Sequence, residues 1–305
     1  MIELFYKNDV PKSALKLIQG DGSIGSKLIS FDHISGVAFT GSSATAKKIN
    51  LQLAKKDGPI SSLIAETGGL NAMFIDSSSL HEQVVDDIMR SSFNSAGQRC
   101  SALRLAIIHE SIFDDLVEMI KDAMAELTVG NPEDFHCDVG PIIDERSRNM
   151  LLEYISECSN NGYQVFSHNQ APDGNFVSPT LIELNSIDEI NEEKFGPILH
   201  IIKYKTDELD QILIALKNKQ YGLTMGVHSR IESKADDIIN KSIAGNTYIN
   251  RDIVGAVVGS QPFGGTGLSG TGFKAGGPNY LLQFVDERSI TCLLYTSDAA
   301  DESDR

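Results

Sequence analysis

A cysteine and a glutamate, each on a glycine-flanked turn, carry the chemistry this chain could do. Cys100 stands in F-N-S-A-G-Q-R-C-S-A-L-R at 93–104, just after Gly97 and Gln98 and just before Ser101. On such a turn backbone N–H groups can face the sulfur, and their dipoles favour thiolate, the nucleophilic form. Glu66 lies thirty-four positions upstream in A-E-T-G-G-L-N, after the apolar run 63–65 and before Gly68 and Gly69, at the end of an expected strand. One nucleophile and one carboxylate base suit acyl chemistry through a thioester. Each residue alone has a plainer reading. A lone cysteine is usually a small buried hydrophobe, and a lone glutamate a solvated charge.

Repeated strand–turn–helix units must position the two turns. Residues 14–18 are apolar and run into G-D-G-S-I-G, with glycines at 20, 22 and 25, a weak phosphate-loop signal by itself. Strand-like residues 36–39 lead to Thr40, Gly41 and Ser42, and then to an expected helix at about 43–56. Ser42 reads as its N-cap, and the helix N-terminus could hold a pyrophosphate. A third run, 60–65, ends at Glu66. Further strands are expected at 73–75, 103–109, 176–184, 197–204, 223–228, 246–250 and 281–290. Helices are expected at 80–93, from Ser111, and at 144–158, 207–219 and 231–242. The helix from Ser111 has apolar positions 112, 113, 116, 117, 120, 123, 124 and 127. Residues 170–174 and the glycine-rich 255–277 read as loops. The alternation of units predicts an α/β fold with a parallel sheet.

Composition excludes several function classes. The chain has 305 residues, enough for one large or two medium domains, and a formal net charge of −16. That charge argues against nucleic acid or an anionic membrane as a partner, since phosphate binding needs clustered Lys and Arg. No run of 18 apolar residues marks a membrane span. The N-terminus lacks the layout of a signal peptide. Four cysteines at 100, 137, 158 and 292 form no C-x-x-C pair, consistent with free thiols in a reducing cytoplasm. Seven scattered histidines have no ligand spacing, so no metal is expected.

Taken together, the motifs resemble the aldehyde dehydrogenase superfamily. G-Q-R-C matches its nucleophile signature and E-T-G-G its general-base signature. F-T-G-S at 39–42, E-K-F-G-P at 193–197 and Q-P-F-G-G at 261–265 follow in order, over roughly 1–291. C-S-A-L-R, V-G-A-V-V-G and L-S-G-T-G-F-K-A-G-G-P resemble the 1-pyrroline-5-carboxylate dehydrogenase branch. They are most similar to the dehydrogenase half of bifunctional proline utilisation proteins. The resemblance implies a parallel-sheet catalytic domain with a truncated Rossmann-like cofactor domain, and NAD-dependent oxidation of L-glutamate 5-semialdehyde to glutamate. It makes Cys100 and Glu66 catalytic. Gly41, Ser42, Gly68, Glu193 and Phe195 bind NAD, Glu193 at the nicotinamide ribose with Phe195 beside it. Ser101, Gly255 and Ala256 hold the substrate carboxylate, and Phe263 walls its aliphatic part. Phe93 is either an opposite wall or core packing. The parent is implied to be a homo-oligomer, with the terminal strand joining a partner's sheet.

The implied layout is 1–67 as the C-terminal part of the cofactor domain and 68–258 as the catalytic domain. A glycine-rich return segment with an oligomerisation strand follows at 259–291, and then a non-native tail at 292–305. The tail string C-L-L-Y-T-S-D-A-A-D-E resembles an in-frame sequencing adapter, the alternative being a disordered acidic tail. The family's N-terminal half, with an oxyanion-hole Asn and a ribose-contacting Lys, is expected to be missing, leaving Met1 an internal methionine. Two other functions compete. A succinate semialdehyde-type enzyme would anchor a distal carboxylate on Arg99 or Arg104, which equally fit structural roles. A non-catalytic scaffold would be expected to have lost Cys100 or Glu66, and both are present, but an inactive fragment that keeps the fold and binds NAD poorly is the further alternative.

Overall fold

The structure, a computed structural model, describes residues 1–167 and 171–292. Gln170 of the expected polar loop and residues 293–305 of the expected tail lie outside the described residues. The chain opens with α1 (Ile2–Lys7), α2 (Gly22–Ile29), β1 (Gly36–Thr40), α3 (Ser43–Ala54) and β2 (Ser62–Glu66). It continues through β3 (Ala72–Ile75), α4 (His81–Phe93), β4 (Leu105–His109), α5 (Phe113–Glu126), α6 (Glu145–Asn160), β5 (Gln164–Phe166) and β6 (Thr180–Glu183). Then come β7 (Ile198–Tyr204), α7 (Leu209–Asn218), β8 (Tyr221–Gly222), β9 (Thr224–His228), α8 (Glu232–Lys241), β10 (Asn246–Ile249) and β11 (Thr266–Gly267).

Seven strands form the main sheet in the order β10-β9-β3-β4-β7-β6-β5, parallel except at the β5–β6 edge. β3 lies inside the sheet between β9 and β4 and is wholly buried, which its unbroken apolar string A-M-F-I requires. Met73, Phe74, Ile75, Ile107 and Ile108 are fully buried in the core. α4 and α5 close one side. Phe113, Leu116, Val117, Ile120 and Met124 of α5 face inward at helical spacing. No helix among the described residues is long and apolar enough to cross a membrane.

β1 and β2 form a separate parallel pair with Thr40 opposite Glu66. The return segment ties this pair to the rest. Ala65 N–H donates to Thr271 Oγ1 at 2.7 Å, Thr271 N–H donates back to Ala65 O at 3.1 Å, and Thr67 N–H donates to Ser269 O at 3.0 Å. The C-terminal ends of β1 and β2 therefore meet the loops that enter the N-terminal ends of β3, β4, β7 and β9.

Two expected strands are absent. Residues 14–18 are irregular, with Leu17 and Ile18 exposed. The stretch 281–290 holds a 3₁₀ turn at Tyr280–Phe284 and no strand, and Leu281, Leu282, Phe284, Val285 and Ile290 lie exposed. A strand needs an edge to pair with. Among the described residues β1 pairs only with β2, and no edge lies beside 285–290.

Candidate active site

Glu66 ends β2 beneath two glycines of the return segment. Gly265 N–H donates to its Oε2 at 3.4 Å, and a Cβ on Gly264 would stand 2.9 Å from its Oε1. Burial raises the carboxyl to about 7, against the pull of that N–H and of the Lys274 charge. At neutral pH it is divided between acid and base, which suits a general base.

Cys100 follows an unusual backbone path. Ser95, Ala96 and Gly97 are all left-handed, and Gly97 packs on the Gly196 carbonyl where a Cβ has no room. Asn71, 1% exposed, clamps the next turn. Its Nδ2 donates to Cys100 O at 2.7 Å and Ala102 O at 2.8 Å, and its Oδ1 accepts from Thr224 N–H at 3.1 Å. The expectation of an activated thiolate needs correction for this state. Burial pushes the thiol pKa up, and the Glu193 and Glu66 carboxylates push it further. The N–H groups of Ser101 and of Cys100 itself only partly oppose them.

Glu193 is held from inside. Arg104 Nη2 donates to its Oε1 at 3.1 Å, and the carboxylate also accepts from the Gly69 N–H and lies so close over Gly68 that no side chain fits there. Arg104 also donates to Gly196 O and Arg99 O, both at 3.1 Å. Its guanidinium carbon stands 5.4 Å from the centroid of the half-exposed Phe195 ring. Arg104 is 1% exposed, and its terminal nitrogens are taken by Glu193, Gly196 and Arg99, so it is no anchor for a distal substrate carboxylate.

A dinucleotide has a place to lie. α2 and α3 enclose an open groove of about 760 Å³ lined by Leu28, Ile29, Val37, Phe39, Ile49 and Gln52 and reaching Thr45 in the first turn of α3. That volume and apolar lining suit a nucleoside. The α3 N-terminus beside it offers N–H groups to a phosphate. Ser42 is exposed and caps α3, its Oγ accepting from Thr45 N–H at 3.2 Å. Gly41 N–H donates to Glu66 O at 3.1 Å, which joins the phosphate end of the groove to the base.

On the other side of Cys100, Ser101 is 5% exposed, and its hydroxyl has no hydrogen-bond partner among the described residues. Gly255 is left-handed at φ +72 beside Arg99, with the half-buried Ala256 next to it. Phe263 exchanges backbone hydrogen bonds with Ala275, which fixes it next to the glycines over Glu66. Phe93 is 1% exposed and belongs to the core, so it walls no pocket.

The aldehyde dehydrogenase family model matches residues 1–290. The chain belongs to the aldehyde dehydrogenase family. It is 43% identical over 299 residues to the bifunctional protein PutA of Klebsiella aerogenes, covering 94% of this chain and 23% of that protein. It is 35% identical over 300 residues to the 1-pyrroline-5-carboxylate dehydrogenase of Bacillus subtilis, covering 95% and 57%. A crystal structure of a Bradyrhizobium japonicum proline utilization A variant superposes with a TM-score of 0.91 at 48% identity, covering 93% and 29%. A Thermus 1-pyrroline-5-carboxylate dehydrogenase with bound NAD superposes with a TM-score of 0.87 at 29% identity, covering 93% and 56%. The chain thus spans about a quarter of the bifunctional relatives and little more than half of the others.

In this member of the family several site residues escape sequence reading. Asn71 gives one signal, a polar residue wedged between a glycine turn and the buried strand β3. Gly264, Gly265 and Lys274 sit in a segment that reads mostly as turns. The α2–α3 groove lies behind a glycine pattern too common to single out.

Proposed function

We propose that the chain carries the site for oxidation of L-glutamate 5-semialdehyde to L-glutamate, with NAD as acceptor. The observation that carries the reading is a half-buried thiol, Cys100, near enough to feel the charge of Glu66, whose own carboxyl is raised to about 7. Cys100, once its proton has passed to water, attacks the aldehyde carbon as thiolate and gives a hemithioacetal oxyanion. Its own backbone N–H is the chain's donor to the oxyanion, an interaction type worth a few kcal/mol in a transition state. The α2–α3 groove would hold NAD, whose chemistry is to take up a hydride, and loss of hydride from that carbon leaves a thioester on Cys100. Glu66 then takes a proton from water, which attacks the thioester and frees Cys100. Glu193, with Phe195, orients the nicotinamide ribose, and Gly41, Ser42 and Gly68 line the path of the dinucleotide.

Ser101 and the backbone at Gly255 and Ala256 hold the α-carboxylate, with Phe263 along the carbon chain. Residues 1–67 act as the cofactor side, 68–258 as the catalytic body and 259–291 as the return segment. The exposed apolar row from Leu281 to Ile290 suits pairing with a second copy, a homo-oligomer. Four free cysteines fit a cytoplasmic setting. The net charge of −16 disfavours nucleic acid and anionic membrane as partners. The test compares formation of reduced cofactor from glutamate semialdehyde and from propanal, using NAD and NADP in parallel. A clear preference for glutamate semialdehyde with NAD supports the reading, and equal turnover of both aldehydes contradicts it.

A further inference from the structure

Lys274 is half-buried, while its neighbours from Thr271 to Gly276 are exposed. A lysine that turns inward from an exposed loop loses hydration and rotamer freedom, so something at its new place must compensate. No carboxylate pairs with it directly. Its Nζ donates to Gly245 O, and it enters no ion pair among the described residues.

Lys274 and Glu66 lie against the same glycine. A Cβ on Gly264 would stand 2.9 Å from Glu66 Oε1, 3.2 Å from Lys274 Cα and 3.3 Å from Lys274 Cγ. The segment that presents Lys274 is closed by the paired backbone bonds of Phe263 and Ala275, at 3.0 and 2.9 Å. Asn246 ties that segment to β10, its Nδ2 donating to Pro262 O at 2.8 Å and its Oδ1 accepting from Gly264 N–H at 3.2 Å. The Lys274 bond to Gly245 O is a third tie to the same place, and it fixes the ammonium rather than the backbone. The other groups facing Glu66 bring no charge. Gly265 N–H offers a dipole, β1 ends in Thr40 and Gly41, and burial and Glu193 keep Cys100 a thiol. Lys274 is the cation whose charge reaches the Glu66 carboxyl, drawing its pKa down against burial.

We propose that Lys274 is a positioning residue of the hydrolytic step, its ammonium fixed on Gly245 so that the carboxylate of Glu66 can stand ionised in a half-buried place and take a proton from water. The proposal deepens the reading of Glu66 as general base and rests on it for the step that is served. Lys274 itself gives up no proton. Its charge balances the burial that would otherwise keep Glu66 protonated at neutral pH, and the reacting atoms remain with Cys100 and Glu66.

The first measurement needs no turnover. In the 305-residue chain carrying ¹³C in its glutamate side-chain carboxyls, the Glu66 signal is assigned by its loss in Glu66→Gln and titrated by NMR. The wild-type midpoint should lie at about 7. Lys274→Gln keeps a donor for Gly245 O without the charge, and Lys274→Met lacks both. Both should raise the midpoint by about one pH unit, the scale of losing one nearby opposite charge, and Lys274→Arg should restore it. Two variants remove the charge, so the result does not hang on the folding of either. An unmoved midpoint in Lys274→Gln, or a rise in Lys274→Met alone, overturns the proposal, since the hydrogen bond and not the charge would then matter. The second measurement reads the step itself. Cys100 is acetylated with p-nitrophenyl acetate, and its deacylation is followed by mass spectrometry against pH. The pH at which deacylation levels off should rise with the NMR midpoint in Lys274→Gln and return in Lys274→Arg. A deacylation profile that stays put while the midpoint moves overturns the positioning role. If deacylation is unchanged even in Glu66→Gln, the reading of Glu66 as base fails, and the electrostatic link between Lys274 and Glu66 is judged by the NMR midpoint alone.

Discussion

Arg104 donates to Glu193 at 3.1 Å from a position only 1% exposed, so the carboxylate beside the nucleophile is held from inside the core. The support continues behind it. His200 Nδ1 donates to Arg104 O at 3.0 Å, and Tyr154 OH donates to His200 Nε2 at 2.8 Å. Burial lowers the His200 pKa to about 4, so the ring is neutral and this tautomer persists at physiological pH. The first prediction concerns this pair. Arg104→Met strands Glu193 and should destabilise the chain by about 3–5 kcal/mol. Glu193→Gln should cost clearly less, because Arg104 keeps the carbonyls of Gly196 and Arg99. Urea unfolding of both single variants and the double variant checks this. The double variant should be more stable than Arg104→Met alone, and additive losses would mean that the pair is not coupled.

The thiol is the second case. Burial and the Glu193 carboxylate, with a smaller push from Glu66, raise the Cys100 pKa. Alkylation of Cys100 by iodoacetamide should therefore be slow at pH 7 and climb through the alkaline range, the thiolate being the reacting form. Glu193→Gln removes a neighbouring charge and should shift that profile to lower pH. An unmoved profile would assign the shift to burial alone.

Both cases bear on how far the amino-acid sequence alone discloses the fold and the site. The order and type of most elements are legible in it, because β3, β4, β7 and α5 carry unbroken or helically spaced apolar patterns that local chemistry dictates. The failures at 14–18 and 281–290 share a cause. An apolar stretch states that it wants an edge, and only the fold states whether one exists. Cys100 and Glu66 are legible from glycine-flanked motifs. The state of the thiol is not, since it depends on Glu193, ninety-three positions away in sequence. Whether Arg104 meets a substrate carboxylate or serves the structure is open in the sequence for the same reason.

Glu66 yields a prediction about pH. Its folded carboxyl titrates near 7, above the ordinary glutamate value. The base form grows as pH rises, so a hydrolysis step limited by Glu66 should increase about tenfold per unit below 7 and level off above it. The stability effect has the opposite sign. A raised carboxyl pKa means that the fold binds this proton more tightly than the unfolded chain. The stability it contributes is full below the ordinary glutamate range and is lost as pH rises through 7. Glu66→Gln should therefore raise the melting temperature more at pH 8 than at pH 4. Thermal scans at the two pH values check it, and an equal change at both would place the Glu66 pKa outside this window.

Ser101 tests the substrate side. Its hydroxyl, on a residue 5% exposed, has no hydrogen-bond partner among the described residues, so it is available to a ligand. Ser101→Ala should raise KM for glutamate semialdehyde by the cost of one hydrogen bond to a charged group, about 1.5–3 kcal/mol, and leave propanal nearly unaffected. Steady-state kinetics with both aldehydes measures the split. Equal changes would detach Ser101 from the carboxylate.

Asn71 gives the sharpest structural test, because one side chain there joins three backbone groups. Its amide nitrogen feeds the carbonyls of Cys100 and Ala102, and its oxygen receives the N–H of Thr224 at the start of β9. The nucleophile turn is thereby fastened to the main sheet. Asn71→Ala leaves those three groups unpaired in a buried place and should cost about 1–3 kcal/mol for each group that water cannot reach. Asn71→Asp keeps the shape and the acceptor for Thr224 but turns both donors into acceptors. It then presses a carboxylate against two carbonyls at a site 1% exposed. Charge burial should outweigh the retained hydrogen bond, so the isosteric aspartate should destabilise more than the truncation at pH 8. Lowering the pH should recover part of that loss, because a protonated aspartic acid regains one donor. Urea unfolding of both variants at pH 8 and pH 5 decides it. If Asn71→Asp is the milder change at pH 8, the two donated hydrogen bonds do not hold the Cys100 turn.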